Sequence, residues 1–405
     1  MIVGETMPPL AGLKVVELAR VLAGPWAGQI LADLGADVVK VESLKGDETR
    51  QWGPPWIDNA DGSRDAAYFH SCNRGKQSIA VDFTTEEGRG IVSRLIAGAD
   101  VVLENFKAGA LAKYGFDYAS ARALNPRVIY CSITGFGQDG PYRERAGYDF
   151  VIQAMGGIMD LTGDPAGPPE KIGVAYADIM TGLYAVIAIQ AALAHRERTG
   201  EGQSIDMALL DTQVGTLANQ AMNYLASGTS PRRLGNAHPN IVPYQEFPTR
   251  DGHLVVAVGN DGQFRQFVGV LGAPDLADRP EFATNAQRVT NRGALIEQLK
   301  ALTQRFTRDD LLIQLEKSGV PAGPINTVAD VFSDPQVVHR GMRIELTRDE
   351  GAPVPSVRTP IMMSGSPPIY AQASPGLGEH TVDVLAALGY TAADIERFKG
   401  LKVTN

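Results

Sequence analysis

The sequence predicts an α/β protein, a large domain built on a doubly wound parallel sheet and a smaller α+β domain. Three observations lead there. β-Branched runs alternate with apolar-periodic stretches through the first half of the chain, the pattern of parallel strands joined by right-handed crossovers. The composition changes at residues 228–239 (GTSPRRLGNAHP), just before a hairpin-like run. The length of 405 residues, at about 100 to 200 per domain, leaves room for two to three domains.

In order, residues 14–18 (KVVEL) are the first strand, ARVLAGP a turn-rich loop, and 26–34 a helix. A second strand spans 37–41. The unit repeats as strand 78–82, helix 85–97, strand 101–103, a helical region to 124, and strand 128–133. Sheets of this kind bind ligands in the loops beyond the carboxyl ends of their strands. Those loops are here 19–25, 42–55, 104–109 and 134–141. A long apolar helix (174–194), a strand (203–207) and a further helix (209–226) follow. Residues 244–259 read as a hairpin with an Asp251-Gly252 turn. The tail 341–368 is rich in Pro, Gly and Ser, and helical periodicity resumes over 382–389. The expected organisation is a large domain of residues 1–225 completed by 345–405, a small domain of 226–335, and a returning linker of 336–350.

Composition excludes several classes. Hydrophobic residues at 44% and charged residues at 20% are globular values, and 44 glycines with 25 prolines stay below the disordered range. A net charge of −9 argues against nucleic acid and acidic membrane surfaces as partners. The only two cysteines, Cys72 and Cys131, rule out a disulfide framework and point to a reducing, cytoplasmic setting. The run MIVGETMPPLAGLK has no basic and apolar leader pattern. Residues 174–194 are long enough to cross a bilayer, but Asp178 within them argues for a buried helix and no membrane partner. The six histidines have no metal-ligand spacing, so no metal is expected. Neither G-x-x-x-x-G-K-[ST] nor G-x-S-x-G occurs, and no G-x-G-x-x-G follows the first strand.

Asp178 stands out as an acid in one of the most apolar regions of the chain. One reading is structural, a helix N-cap or a buried acid bonded to backbone amides. The other is chemical. At a helix start, free N–H groups and the dipole would keep the carboxylate ionised in a dry site, where it is a competent nucleophile toward an acyl carbon.

The runs RVLAGPWAGQILADLGADVVKVE, WGPP, NRGKQSIAVD, ENFKAGALAKYGF, YCSITGFGQDGPY, AGYDF, ADIMTGLYA and GVPAGPIN resemble those of class III CoA-transferases, the CaiB/BaiF family. Within it, RAGYD, IVPYQ-x-F and VFSDPQVVHRG are similar to the succinate-hydroxymethylglutarate (glutarate) branch. The resemblance implies a Rossmann-like large domain, an interlocked homodimer, no permanently bound cofactor, and coenzyme A or acyl-CoA as substrate. It also implies that Asp178 attacks the donor thioester to give a mixed anhydride, and then carries CoA as an aspartyl thioester to an acceptor carboxylate.

Further residues follow from the resemblance, from the predicted loop ends and from the charge of the ligands. Tyr148 stands where the family's racemases carry a histidine base, and tyrosine, with a reference pKa of about 10, is a poor base for Cα proton exchange. Transferase is therefore favoured over a 2-methylacyl-CoA racemase-type isomerase or a non-catalytic CoA-binding protein. Tyr148 is either a hydrogen-bond donor to a reacting carbonyl or a packed aromatic. For the CoA phosphates, Arg50, Arg74, Lys76 and Lys113 are candidate cations, each with plain surface as the alternative. Asn105 and Phe106 resemble contacts to the pantetheine and adenine region, with Val21, Val81 and Ala110 beside the same motifs. Leu22 replaces a glutamine of the oxalate-handling transferases. Gly259 and Asn260 lie in VGNDGQF, where relatives carry a glycine-rich lid. A dicarboxylate leaves one anion free, which a bidentate arginine holds best, and Arg20 and Arg145 are the candidates, with a purely structural role as the alternative.

Overall fold

The computed structural model describes residues 7–59, 61–348 and 353–405. Residues 1–6, which open the run read for a leader, lie outside it, as do 349–352 near the expected domain junction. The chain divides into two units. One comprises residues up to Gly157, Ile172–Ala221 and Gln336–Asn405, and the other Ile158–Lys171 and Met222–Pro335.

The first unit contains strands β1 (Lys14–Glu17), β2 (Asp37–Glu42), β3 (Trp56–Asp58), β4 (Arg64–Ala66), β5 (Gln77–Ala80), β6 (Val101–Glu104), β7 (Ile129–Thr134) and β8 (Ser204–Ala208). Six of them form one sheet in the order β5-β2-β1-β6-β7-β8, every neighbouring pair parallel. Side chains alternate across it, as period-two geometry requires. Val15, Val101, Leu103 and Ile129 face the helices Ala23–Asp33 and Tyr176–Thr199. Val16, Val102 and Tyr130 face the helix Glu86–Ala97 and the C-terminal helices Thr381–Ala387 and Ala392–Gly400. Strand order reverses between β1 and β6, so the loops after these two strands flank the crevice where doubly wound sheets hold ligands.

Several expectations are corrected. The 209–226 helix is two, Leu209–Gly215 and Ala218–Ser227, because Ala218 takes a φ of +47°, which ends helical geometry. Residues 158–171 fall in the second unit, where Arg233 bonds the Asp160 carboxylate (3.0 Å) and the Gly167 carbonyl (3.2 Å). Part of the expected linker is sheet, since β12 (Arg343–Leu346) pairs antiparallel with β13 (Val354–Val357). The helix Tyr176–Thr199 is not buried all round. Ala177, Thr181, Ala185 and Ile189 are inside, whereas Leu183, Tyr184 and Ile187 are exposed.

In the second unit β9 (Tyr244–Pro248) and β10 (His253–Ala257) form the expected hairpin, and β11 (Ala322–Pro324) adds to the β10 edge. Its core is Phe247, Leu254, Phe264, Phe267, Leu295 and Leu311.

Candidate active site

The loops after β1, β6 and β7 meet in a cleft lined by Arg20, Val21, Leu22, Asn105, Phe106, Thr134, Gly135, Arg145, Tyr148 and Asp178, among others. Each loop is held by a specific device. Asn105 stitches the first two together, its Oδ1 accepting the Arg20 N–H (2.8 Å) and its Nδ2 donating to the Arg20 carbonyl (2.6 Å). Val21 has a φ of +68°, a strained conformation for a β-branched residue. Its N–H donates to Asp47 Oδ2 at 3.2 Å, and its carbonyl accepts from Cys72 Sγ at 3.6 Å. Asp47 is in turn fixed by Lys40 (3.0 Å), which is wholly buried and also bonds Glu17 (3.1 Å). Buried ion pairs thus brace the strained loop from below.

Two close approaches of backbone at glycine shape the cleft. A Cβ on Gly182 would stand 2.7 Å from the Ala23 carbonyl oxygen, so only glycine lets the Tyr176–Thr199 helix approach the start of the Ala23–Asp33 helix. That approach brings Asp178, one turn earlier, to the cleft. Gly135 and Gly147 pack backbone to backbone, a Cβ on Gly135 falling 2.5 Å from the Gly147 Cα, and this brings Tyr148 in beside the β7 loop.

Asp178 is in the first turn of its helix but does not cap it. Asp149 does so from the neighbouring helix Asp149–Met155, its Oδ1 accepting the N–H groups of Ala177 (2.8 Å) and Asp178 (3.3 Å). Gln153 braces Asp149 Oδ2 at 2.7 Å. The N-cap reading of Asp178 is therefore corrected, the helix N–H groups being taken by Asp149. Burial, with the Asp149 charge added, pushes its carboxyl up to about 7. Burial likewise raises the Tyr68 hydroxyl, as do the charges of Asp178 and Asp149, so this phenol stays protonated in their field.

Cations in the cleft are Arg20, Lys107, Arg143 and Arg145. Arg20 sits over the Phe106 ring (5.2 Å) and 3.6 Å from Glu48, while Arg145 stacks on Tyr142 (3.9 Å). Leu22 is buried at the cleft floor and precedes the first helical residue, Ala23. Tyr148 is 62% exposed, which corrects the packed-aromatic reading.

Three expected phosphate ligands are instead buried structural cations. Arg50 bonds Glu42 (2.7 Å) and Asp65 (2.9 Å), Arg74 bonds Asp33 (2.6 Å), and Lys76 bonds Glu17 (2.9 Å), each neutralised inside the protein. Val81 is core, bridged to Thr404. Ala110 and Lys113 lie on the loop after β6 outside the cleft lining, with Lys113 over the Tyr114 ring (4.8 Å). Gly259 and Asn260 belong to the second unit. There Asn260 caps the helix Asp261–Val270 by accepting from Gln263 N (2.9 Å), and Gly259 N donates to Gln263 Oε1 (2.8 Å). Both cysteines are buried, and burial pushes the Cys72 thiol up to about 12, which leaves it inert as a nucleophile.

Sequence reading missed Asp149, Lys107 and Arg143. All three stand inside or beside runs already singled out: AGYDF, ENFKAGALAKYGF and the YRER that precedes AGYDF.

Comparison with known proteins gives the family. Residues 10–381 match the model of CoA-transferase family III. A succinate–glutarate CoA-transferase of Agrobacterium fabrum is 57% identical over 383 residues, spanning 94% of this chain and 96% of that protein. A succinyl-CoA:glutarate CoA-transferase of Mus musculus is 43% identical over 400 residues, or 97% and 89% of the two chains. The crystal structure of a CAIB/BAIF family protein from Brucella suis, 62% identical, matches with a TM-score of 0.85 over 95% of this chain and 100% of that one.

Proposed function

The chain belongs to CoA-transferase family III, and from that premise we propose that it moves CoA from succinyl-CoA to a short dicarboxylic acid such as glutarate, through Asp178. The observation that carries this reading is the Asp178 carboxyl, partly desolvated at one wall of a cleft whose other walls supply Arg20, Lys107, Arg143 and Arg145.

The Asp178 carboxylate attacks the thioester carbonyl, the C–S bond breaks, and CoA thiolate leaves an aspartyl–succinyl anhydride. The thiolate attacks the aspartyl carbonyl of that anhydride, releasing succinate and forming an aspartyl-CoA thioester. The acceptor carboxylate then displaces the thiolate to give a second anhydride. Attack of the thiolate on the acceptor's acyl carbon restores Asp178 and releases the new acyl-CoA. Each intermediate is sensitive to hydrolysis, so a site that excludes water is part of the chemistry. Arg20 and Arg145 hold the spare carboxylate of the dicarboxylic acid, and Tyr148 donates to the reacting carbonyl. Asn105 and Phe106 contact the pantetheine arm.

The working unit in this reading is a homodimer. Support comes from the exposed apolar residues Leu183, Tyr184 and Ile187 of one helix and Phe150 and Val151 of another, more than isolated surface side chains. Two buried free thiols fit a reducing, cytoplasmic setting.

The test is succinyl-CoA offered with glutarate, hydroxymethylglutarate, malate, citramalate, itaconate and mesaconate in turn. Succinate release matched by a new acyl-CoA is expected with at least one acid. Deuterium uptake at Cα of a 2-methylacyl-CoA with no acid present, and no exchange with any acid, would favour an isomerase.

A further inference from the structure

Glu104 ends β6 and is 5% exposed, one of the most enclosed carboxyls of the sheet. No cation pairs with it among the described residues. Its Oε1 accepts from the Ser132 hydroxyl on β7, and its Oε2 accepts the backbone N–H of Phe106 at 2.7 Å. Ser132 in turn accepts from Gln138 Nε2 at 2.9 Å, and Gln138 N donates to Asp206 Oδ2 at 2.9 Å. The carboxyl thus joins the ends of β6, β7 and β8. Burial pushes it up to about 7, against the lowering effect of its two hydrogen bonds.

Burying an acid without a counter-ion is costly, and a leucine would fill the position more cheaply. What the carboxyl holds gives a reason for it. The next two residues are Asn105, which fixes the backbone of Arg20 through two hydrogen bonds, and Phe106, whose ring lies under the Arg20 guanidinium. Asn105 and Phe106 face the active-site cleft, whereas Glu104 faces a second cavity with Ser132, Gln138 and Asp206. A carboxyl on the far side of the loop acts on the ligand only through that loop.

We propose that Glu104 is a positioning residue for acyl-CoA, which sets the Asn105–Phe106 loop, and through it Arg20, by accepting the Phe106 N–H. The inference rests on the reading of Asn105 and Phe106 as contacts to the pantetheine arm. In Glu104→Ala the Phe106 N–H loses its acceptor and the loop is released from β7. In Glu104→Gln the side-chain carbonyl still accepts that N–H. A bond from an amide to a charged or strongly polar acceptor is worth about tenfold or more in affinity when it alone fixes the binding geometry.

The experiment measures CoA binding by calorimetry, together with steady-state transfer from succinyl-CoA to glutarate, for wild type, Glu104→Ala, Glu104→Gln and Ser132→Ala. Transfer by wild type tests the family reading by itself, independently of the variants. The expected result is that Glu104→Ala raises the Kd for CoA and the KM for succinyl-CoA about tenfold, with kcat at saturation much less affected. Glu104→Gln returns most of the affinity. Should Glu104→Ala fail to fold, Ser132→Ala decides, with an expected rise in Kd of about threefold from a loosened carboxyl. Wild-type CoA affinity in a folded Glu104→Ala, or in Ser132→Ala where that is the deciding variant, overturns the proposal. So does a loss of kcat without a change in Kd, or a Glu104→Gln as weak as Glu104→Ala.

Discussion

Asp149 and Asp178 are bound to each other at the start of one helix: the Asp149 carboxylate accepts the Asp178 backbone N–H at 3.3 Å, and its charge adds to burial in raising the Asp178 carboxyl to about 7. The group proposed as nucleophile is therefore poised near neutrality by the residue that caps its helix. Its charge state at working pH is set by position rather than by a nearby cation.

The acid limb of the pH profile follows. Attack requires the ionised carboxylate, so kcat/KM for succinyl-CoA should rise with pH through about 7. Asp149→Asn keeps an oxygen acceptor for the helix N–H groups and removes the like charge, which should move that limb toward acid by about one pH unit. An unmoved limb would dissociate the two carboxyls.

Stability carries the opposite signature. A carboxyl raised in the folded state costs stability as pH climbs from its unfolded value through its folded one, because the unfolded chain ionises it more readily. Asp178→Asn, expected to lose transfer, should therefore unfold at or above the wild-type temperature at pH 8, by about 1 to 3 °C. Below about pH 4, under the unfolded value, the two proteins should unfold alike. A variant that is less stable at pH 8 than at pH 5, relative to wild type, contradicts the shift.

The two carboxyls also show how much was legible in the sequence. Asp178 could be picked out because an acid in an apolar run is a local anomaly, and the parallel sheet because strands and crossover helices alternate visibly. Asp149 carries no such mark, since its partner N–H groups come from another helix. Arg50, Arg74 and Lys76 misled for the same reason. At predicted loop ends they looked like phosphate ligands, yet the acids that neutralise Arg74 and Lys76 lie 41 and 59 positions away. Pairing at that distance is decided by the sheet order, which the sequence implies only in outline.

The buried cations should act through stability. Lys40→Met leaves Glu17 with Lys76 alone and Asp47 with no counter-ion, and such an unpaired buried charge costs about 3 to 5 kcal/mol. Urea unfolding should report that loss. It should come with weakened transfer in whatever fraction remains folded, because Asp47 also anchors Val21. A loss below about 1 kcal/mol would mean that the pairs are not what braces the loop.

Gly182 sets helix spacing rather than chemistry. Gly182→Ala places a methyl group 2.7 Å from the Ala23 carbonyl oxygen, and overpacking of this kind costs about 1 to 3 kcal/mol. The displaced helix carries Asp178 with it, so kcat should fall by about tenfold or more. Wild-type kcat in a stable variant would show that the helix tolerates the shift.

Arg20 and Arg145 should separate the two substrates. If they hold the spare carboxylate, Arg20→Ala and Arg145→Ala raise the KM for glutarate or succinate by about tenfold to a hundredfold. A KM for the acid that stays at the wild-type value in both variants removes them from that role.

The most direct test asks where the acyl group and CoA reside during turnover. The protein is incubated with succinyl-CoA and no acceptor, quenched with hydroxylamine or borohydride, digested and examined by mass spectrometry. Modification should fall on Asp178, as the hydroxamate or the reduced alcohol, and should be missing from the Asp178→Ala variant, which should also be inactive. An unmodified Asp178 peptide, or full transfer activity in Asp178→Ala, would contradict the account.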